Sequence, residues 1–385
     1  MRLSRIENLQ LVLFVLVVAI MIISGVVVYS ASVRYSEILS FRNDPNDLAI
    51  KHLTKIAIAL IMMLVASSIP YKKWKEYTHI FMIIAVVLLI AVLFVGVEKK
   101  GAIRSINLKL FELQPSFLAL LAMILHFANL IEKKSDRVKD FKTGFLPMIS
   151  WIIFIAFLIF LQPNFSQGMV VIFVGMTLMF IGGAQIKHLF FTILAGLPFL
   201  MVYVFSAEYR YQRIATYLQR ILSTSLEDPD PQVRYSIFAI GSGGVFGVGI
   251  GNSRYRELFI PEAHTDFIFS IFAEEFGFIG SLILLALYIS IFVVGFIMIK
   301  KLRDTYAQVV TAGIISSFMF YVLANTLVVV GVLPTTGLPL PFMSYGGSSL
   351  IIFAIATGIL MNFASTIKNE EQTSTETFIY RPDLR

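Results

Sequence analysis

Long apolar runs, separated by short polar segments, restrict the fold of this 385-residue chain more than any other feature. About 20 consecutive apolar residues are enough to cross a bilayer as a helix. Because lipid cannot satisfy backbone polar groups, a run that crosses the bilayer has to be helical. The composition agrees, with 57% hydrophobic and 14% charged residues. We therefore predict an all-α polytopic membrane protein with ten transmembrane helices, at about 9–31, 53–70, 78–97, 115–131, 145–161, 168–183, 188–206, 267–299, 306–333 and 346–367.

The absence of cysteine limits the chemistry that this chain can perform. Disulfides, thiol catalysis and a cysteine-based metal site are excluded. The five histidines are scattered singly, so the residues predict no structural metal. No Gly-Lys-Ser/Thr ends a glycine-rich stretch as it does in a P-loop, so nucleotide use is not expected, and no nucleic-acid partner is predicted. The first apolar run is longer than a signal-peptide core, which favours an uncleaved first helix.

Basic residues predict the side of the membrane on which each loop lies, because short cytoplasmic loops carry an excess of Lys and Arg. With the N-terminus inside, more than half of the Lys and Arg residues fall on the inner side. Both termini are then cytoplasmic, and residues 207–266 form one large extracytoplasmic loop between the seventh and eighth helices. Residues 1–368 form the integral membrane domain, and the polar tail 369–385 is predicted to be disordered.

The large outer loop carries several basic residues, although the excess of Lys and Arg is expected in the cytoplasmic loops. An anionic ligand is one explanation, since guanidinium groups bind phosphate in a bidentate way. A solvated surface, or contact with lipid headgroups, is the other. Residues 210–222 are amphipathic and predict a helix that lies in the interface plane. The candidates for anion binding are Arg210, Arg213, Arg254 and Arg256, together with Arg104 in the loop 98–114.

A glycine-dense segment, residues 241–253, is followed by Asp266 directly before the eighth predicted helix. The glycines can form a backbone cradle for phosphate or sugar, or they can allow close packing against helices. Asp266 can act as a general base, because partial desolvation raises the pKa of a carboxyl group. It can equally cap the helix that starts after it. Residue chemistry alone leaves both pairs of interpretations open.

Two further patterns complete a recognisable set. An acidic pair lies inside the eighth predicted helix, and a proline-rich and serine-rich segment precedes the last one. Together with the glycine segment, they resemble the signatures of the SEDS family (shape, elongation, division and sporulation) over most of the chain. The resemblance is strongest to the cell-division branch, FtsW, with the elongation branch, RodA, as the alternative. The matching residues are Pro261-Glu262-Ala263-His264-Thr265-Asp266-Phe267, Ala273-Glu274-Glu275-Phe276-Gly277 and Pro334-Thr335-Thr336-Gly337-Leu338-Pro339-Leu340-Pro341-Phe342-Met343-Ser344-Tyr345-Gly346-Gly347-Ser348-Ser349.

The resemblance implies a peptidoglycan glycosyltransferase that polymerises lipid II, in which a sugar hydroxyl displaces undecaprenyl pyrophosphate with inversion. Asp266 is then the general base, and the five arginines are candidates for holding the pyrophosphate. Further candidates for contacts with sugar or pyrophosphate are Ser242, Gly243, Gly244, Glu262 and His264. The implied partners are a class B penicillin-binding protein (a transpeptidase), other division proteins and the surrounding membrane lipids. The implied location is the bacterial cytoplasmic membrane at the division septum. A divalent cation, Mg²⁺ or Mn²⁺, is left open.

The first half of the chain departs from the family pattern at four positions. Phe117 and Leu120 replace an acid and a base, Asn164 replaces an aspartate, and Ser105 replaces the tryptophan that follows the family's arginine. When both members of an ion pair are replaced by apolar residues, no unpaired charge is left buried. These changes put the family's central cavity in question, although not its fold.

Two other functions remain open. Intramembrane acids and prolines at the ends of helices also suit a transporter or a flippase for lipid-linked precursors. The concentration of polar signatures on the outer side favours an extracytoplasmic enzyme instead. A non-catalytic division scaffold would fit the departures in the first half, whereas the retained Asp266 argues against it.

Overall fold

The computed structural model describes residues 8–39, 46–99, 102–107, 112–133, 138–222, 230–255 and 263–380. These residues form thirteen α-helices, one π-helical turn and three short strands. The first elements are α1 (Leu9–Leu39), α2 (Asp47–Ser68), α3 (Tyr71–Glu76), α4 (Thr78–Val95), β1 (Val97–Lys99), β2 (Ala102–Asn107), β3 (Glu112–Leu113) and α5 (Pro115–Lys133). A π-helical turn (Phe141–Phe145) then leads into α6 (Leu146–Phe160), α7 (Phe165–Ile181), α8 (Ile186–Phe205), α9 (Glu208–Leu222), α10 (Pro231–Gly243), α11 (Ile268–Lys301), α12 (Thr305–Val329) and α13 (Ser348–Tyr380).

Each of the ten predicted transmembrane helices corresponds to a helix of the structure. Within the described residues, nine helices are long and apolar enough to cross a membrane, and α7 is a shorter apolar helix that occupies the sixth predicted position. The boundaries differ most at the ends of α13, which continues to Tyr380 and not to residue 367, and of α1, which continues to Leu39 and not to residue 31. The start of α2 also differs, because this helix begins at Asp47 and not at residue 53. An apolar run marks only the part of a helix that lies in lipid, and the polar first turn of α2 with its Lys51–Asp47 ion pair (2.6 Å) lies outside that run.

The interior of the molecule is formed by α5, α12 and α13, which bury most of their side chains. Tyr321 of α12 is fully buried there, and its hydroxyl donates to Oε1 of Gln167 in α7 at 2.7 Å. By contrast, α8 lies at the periphery, where Leu189 is its one buried residue. The apolar side chains that α8 exposes, such as Phe199, suit contact with lipid.

A break divides α11 near its outer third. Gly277 has a φ of 69°, which residues with a side chain rarely adopt, and the helix direction changes at this point. Before the break nearly every residue of α11 is buried, whereas large exposed apolar residues begin at Phe278. With 34 residues, α11 is longer than one membrane crossing needs, so part of it tilts or lies outside the hydrocarbon.

The loop 98–114 contains a small antiparallel sheet that the apolar runs did not reveal. β1 pairs with β2, and β2 pairs with β3. The strands are too short to produce a recognisable alternation of polar and apolar residues. The sheet ends directly before α5 and therefore fixes the start of that helix.

The described parts of the large outer loop contain two helices. The amphipathic helix predicted at 210–222 is confirmed as α9. α10 follows, with Pro231 in its first turn and with the Asp230 carboxylate accepting from the backbone N–H of Gln232 and Val233.

The last helix, α13, continues to Tyr380, beyond the predicted end at residue 367. The loss of apolar residues after 367 marks the end of the apolar run and does not end the helix. Disorder of the tail 369–385 stays a prediction.

Candidate active site

Asp266 lies in a turn, residues 263–267, that leads into α11 on the side of the molecule that the basic residues predict to be extracytoplasmic, called the outer side below. Its side chain is half-buried. The helix begins at Ile268, and the N-cap position belongs to Phe267. The geometry therefore does not support the interpretation of Asp266 as an N-cap.

The backbone of Asp266 is held by a buried amide of α12. Nδ2 of Asn325 donates to the carbonyl oxygen of Asp266 and to that of Leu338, both at 2.8 Å. One side chain therefore joins the turn before α11 to the loop after α12. Leu338 belongs to the signature segment that precedes the last helix, so two distant sequence signatures meet at Asn325.

The same loop passes along the Asp266 carboxylate. Gly337 has a φ of 70°, and an ideal Cβ built on it would lie 3.3 Å from Oδ2 of Asp266. A glycine is required here for its backbone conformation, and any larger residue would also press on the carboxylate. The hydroxyl of Ser166, at the start of α7, donates to the carbonyl oxygen of the neighbouring Thr336 at 2.5 Å.

His264 is buried two residues before Asp266 and packs against Tyr345. The backbone N–H of Tyr345 donates to the His264 carbonyl oxygen at 2.9 Å, and the two ring centroids are 5.4 Å apart. Burial, together with the negative charges of Asp47 and Glu112, raises the pKa of Tyr345 to about 12. The phenol is therefore neutral at physiological pH and presents a ring face rather than a charge.

Lys55 of α2 approaches that ring face and was not among the predicted site residues. Its Nζ lies 3.6 Å from the centroid of Tyr345, a cation–π contact. His52, one turn earlier, shares a hydrogen bond of 2.8 Å with Ser24, whose hydroxyl donates to the carbonyl oxygen of Met343. A lysine inside the predicted span 53–70 is a recognisable sequence signal, because ionisable residues within spans are costly.

The basic face of α9 binds the loop after α12. Nη1 of Arg213 donates to the Thr335 carbonyl oxygen at 3.1 Å, and the Tyr217 hydroxyl donates to that of Val332 at 2.8 Å. Arg220 donates to the carbonyl oxygen of Gly331. Thr335 is only two residues from Gly337, so their Cα atoms are at most about 7 Å apart. The structure thus brings Arg213 into the neighbourhood of Asp266.

Two of the predicted arginines have buried donors without hydrogen-bond partners in the described part of the chain. In Arg210 these are Nε and Nη1, and in Arg104 it is Nε. The guanidinium of Arg210 lies over the ring of Tyr203, with Cζ 3.8 Å from the centroid. Arg254 is exposed. Arg256 and Glu262 lie outside the described residues.

The glycine segment packs tightly against the break in α11. A Cβ on Gly243 would lie 2.3 Å from the carbonyl oxygen of Ala273, and one on Gly247 would lie 2.1 Å from that of Glu275. Gly244 has open space around its Cα and a φ of 54°. The hydroxyl of Ser242 donates to the Ala239 carbonyl within α10. The close-packing interpretation therefore accounts for Gly243 and Gly247, whereas contacts of Ser242, Gly243 or Gly244 with a ligand remain predictions.

The acidic pair secures this packing from inside α11, where both side chains are buried. The Glu274 carboxylate accepts from the Ser253 hydroxyl at 2.5 Å and from the backbone N–H of Arg254 at 2.9 Å. The Glu275 carboxylate accepts from the backbone N–H of Gly251 at 3.1 Å and from the Ser30 hydroxyl. These hydrogen bonds tie the end of the glycine segment and the first helix to α11, which is a structural role for the acidic pair.

Two of the four departures from the family pattern, Phe117 and Leu120, place apolar side chains in the interior, and the other two are polar. Phe117 is buried against Tyr321 and Phe353, with centroids 6.0 and 5.8 Å away, and Leu120 is buried one turn further on. Asn164 is also buried, and its Nδ2 has no hydrogen-bond partner within the described residues. Ser105 binds Glu112 at 3.3 Å across the small sheet.

No group of three or more His, Asp or Glu side chains converges to hold a metal ion within the described ranges. The segments that border Asp266 are contacted by the hydroxyl of Ser166, the guanidinium of Arg213 and the amine of Lys55. This arrangement suits a polar, anionic substrate.

Within the described residues, nine helices long enough to cross a membrane and one shorter apolar helix define a polytopic membrane protein, with a half-buried carboxylate and other polar groups at one end of its helix bundle. The profile described as "Cell cycle protein", which covers FtsW, RodA and SpoVE, matches residues 10–369. The chain therefore belongs to the FtsW/RodA/SpoVE family, the SEDS family that its motifs resemble.

Named relatives and solved structures agree with this assignment. Stage V sporulation protein E of Bacillus subtilis (strain 168) is 36% identical over 359 residues, with 92% of this chain and 96% of that protein covered. The probable peptidoglycan glycosyltransferase FtsW of Geobacter metallireducens is 34% identical, with 96% and 98% covered.

Two solved structures share this fold. One is described as "Structural coordination of polymerization and crosslinking by a peptidoglycan synthase complex" and aligns with a TM-score of 0.74 at 25% identity, with 92% of this chain and 97% of that chain covered. The rod shape determining protein RodA of Thermus thermophilus aligns with a TM-score of 0.68 at 25% identity, with 92% and 95% covered.

Proposed function

We propose that this membrane glycosyltransferase polymerises lipid II into glycan strands, with Asp266 as the general base. The observation that carries the proposal is the position of Asp266, whose half-buried carboxylate is bordered by the Gly337 loop and whose backbone is held by Asn325. A base has to be positioned before its pKa matters. Asn325 of α12 and Gly337 of the loop that follows α12 supply that positioning.

In the proposed reaction the Asp266 carboxylate takes the proton of the acceptor sugar hydroxyl. The hydroxyl oxygen then attacks the anomeric carbon of the donor, and the bond to the lipid pyrophosphate breaks with inversion. The departing pyrophosphate needs positive charge, which preorganised donors supply most effectively. Arg210 and Arg104 supply buried N–H donors that have no hydrogen-bond partner among the described residues. Arg213 and Lys55 lie on the same side of the protein.

The solved structures support a partner for this chain, and the names of its relatives support a location. The complex named above coordinates polymerisation with crosslinking, and we propose a class B penicillin-binding protein as the corresponding partner of this chain. A role in division at the septum of the cytoplasmic membrane, beside other division proteins, is favoured by the FtsW names among the relatives. Elongation of the RodA type is the alternative, since RodA shares the fold.

The deciding experiment supplies lipid II to the purified protein with its cognate transpeptidase and compares glycan products on a gel. The parent is expected to make polymer, and folded Asp266→Asn none. Glu208→Gln is the matched control, because it neutralises an exposed carboxylate on the same side whose hydrogen bond is to Gln212 of its own helix. Polymer from Asp266→Asn equal to that of the parent would remove Asp266 from the reaction. No polymer from any variant would favour the flippase or scaffold.

A further inference from the structure

The glycine segment exposes a cluster of large apolar side chains on a loop that the sequence places outside the membrane. Phe246 is 82% exposed, and Ile250 and Val245 are 58% and 55% exposed. A soluble loop seldom exposes contiguous apolar groups of this size, and such a patch marks an interaction surface. We call residues 245–250 the apolar tip.

Backbone hydrogen bonds fix the height of the apolar tip relative to α11. The N–H of Phe278 donates to the Gly244 carbonyl at 2.9 Å, and that of Ile279 donates to the Val245 carbonyl at 3.2 Å. The tip is therefore level with residues 278 and 279. The next turns of α11 carry exposed Leu282 and Ile283, so the tip continues an apolar surface that belongs to a spanning helix.

The length of α11 places that level at the outer edge of the hydrocarbon. Lys300 and Lys301 end the helix on the cytoplasmic side, and the Nζ of Lys300 lies 4.6 Å from the ring centroid of Phe296. From Lys300 to Phe278 an α-helix rises about 33 Å, close to the roughly 30 Å thickness of the bilayer core. The tip then meets the boundary between acyl chains and headgroups.

The loop becomes polar directly after the apolar tip. Asn252 and Arg254 follow the tip and are exposed. Apolar groups in the tip and polar groups after it give the loop the amphipathic pattern of an interfacial anchor.

We propose that the apolar tip inserts into the outer leaflet and anchors the loop that leads to Asp266 at a fixed height above the bilayer. The partner is the acyl region of the membrane lipids, not a protein. The N–H groups of Val248 and Gly249 donate to the carbonyl oxygens of Glu274 and Glu275 at 3.0 and 3.1 Å and join the tip to α11. This inference does not depend on the proposed reaction.

The cysteine-free sequence allows a direct test. Single cysteines at Phe246, Ile250, Ile283 and Lys72 of the full chain are spin-labelled in nanodiscs of phosphatidylethanolamine with a minority of phosphatidylglycerol. Collision rates with oxygen, which concentrates in lipid, and with a water-soluble nickel chelate are then measured. Ile283 is the lipid reference and Lys72, exposed on the cytoplasmic side, is the aqueous reference.

Labels at 246 and 250 are expected to favour oxygen, as at 283, with nickel accessibility several-fold below that at 72. Equal or greater accessibility to nickel at 246 and 250 would overturn the proposal. Because both side chains are exposed, the substitutions leave the packed interior intact, and the helical circular dichroism of each variant checks folding. Asn252→Cys provides the internal contrast, since it is expected to favour nickel only a few residues beyond the tip.

Discussion

At the scale of single residues, the position of Asp266 depends on groups far away in sequence. Asn325 holds its backbone, Gly337 borders its carboxylate, and Tyr345 fixes the neighbouring His264. None of these three contributes a charge. Their effect on the reaction is geometric, and small displacements of a positioned catalytic group reduce rates strongly.

Gly337→Ala is expected to reduce polymerisation about tenfold or more. The added Cβ presses on Oδ2 of Asp266 from 3.3 Å, and a φ of 70° is strained for alanine. Gly183→Ala is the control, because Gly183 has a φ of 89° on the cytoplasmic side, where the nearest atom to the added Cβ is 3.9 Å away. Initial rates with lipid II would show a loss for the first variant only. A similar loss in both would mean that backbone strain, and not contact with Asp266, is responsible.

Asn325→Ala is expected to lower both stability and turnover. It leaves the carbonyl groups of Asp266 and Leu338 without their amide donor, at a cost of about 1–3 kcal/mol for each buried group. Asn362→Ala removes a comparable pair of bonds, to the backbone of Ser67 and Tyr71, on the cytoplasmic side. Both variants should unfold at lower temperature, whereas activity per folded molecule should fall only for Asn325→Ala. Unchanged specific activity there would contradict the positioning role.

At the scale of elements, the glycine segment and the break in α11 form one interlocked unit. A Cβ on Gly277 would lie 2.3 Å from the backbone nitrogen of Gly247 and 2.6 Å from the carbonyl oxygen of Val245. Backbone atoms cannot move aside as the end of a side chain can. The pairing therefore requires glycine on both elements.

Gly277→Ala is expected to destabilise the protein by about 2–4 kcal/mol, from overpacking and from a backbone conformation unsuited to alanine. Gly196→Ala is the matched control inside another transmembrane helix, where an added Cβ has no atom within 4 Å. It is expected to be neutral or slightly stabilising. Thermal unfolding in detergent, followed by tryptophan fluorescence, measures both. Equal stability of the two variants would show that the break in α11 relaxes without cost.

At the scale of the whole molecule, every contact described around Asp266 lies at one end of the helix bundle. That end contains the starts of α2, α5, α7 and α13 and the large loop, whereas Lys75 joins Glu132 at 2.6 Å at the opposite end. The distribution of basic residues predicts that the end with Lys75 faces the cytoplasm.

Labelling of single cysteines tests this orientation. In intact spheroplasts, a membrane-impermeant maleimide is expected to react with Gln212→Cys on α9 and not with Lys187→Cys in the first turn of α8. Both positions are exposed, so accessibility of the side chain does not bias the comparison. After lysis both should react. Labelling of Lys187→Cys before lysis would reverse the topology and place Asp266 in the cytoplasm.

The ten apolar helices, the amphipathic helix α9 and the family could be predicted from the sequence alone, because apolar length, amphipathic spacing and local motifs are properties of neighbouring residues. The sequence also pointed to Asp266, but left its capping and catalytic interpretations open. The tertiary structure decided what surrounds that residue. The contacts of Asn325, Gly337 and Lys55 join elements that are distant along the chain, and their pairing depends on how helices pack and not on any local pattern. The small sheet and the interlocked glycines escaped prediction for the same reason, since each depends on a neighbour that the linear sequence does not reveal.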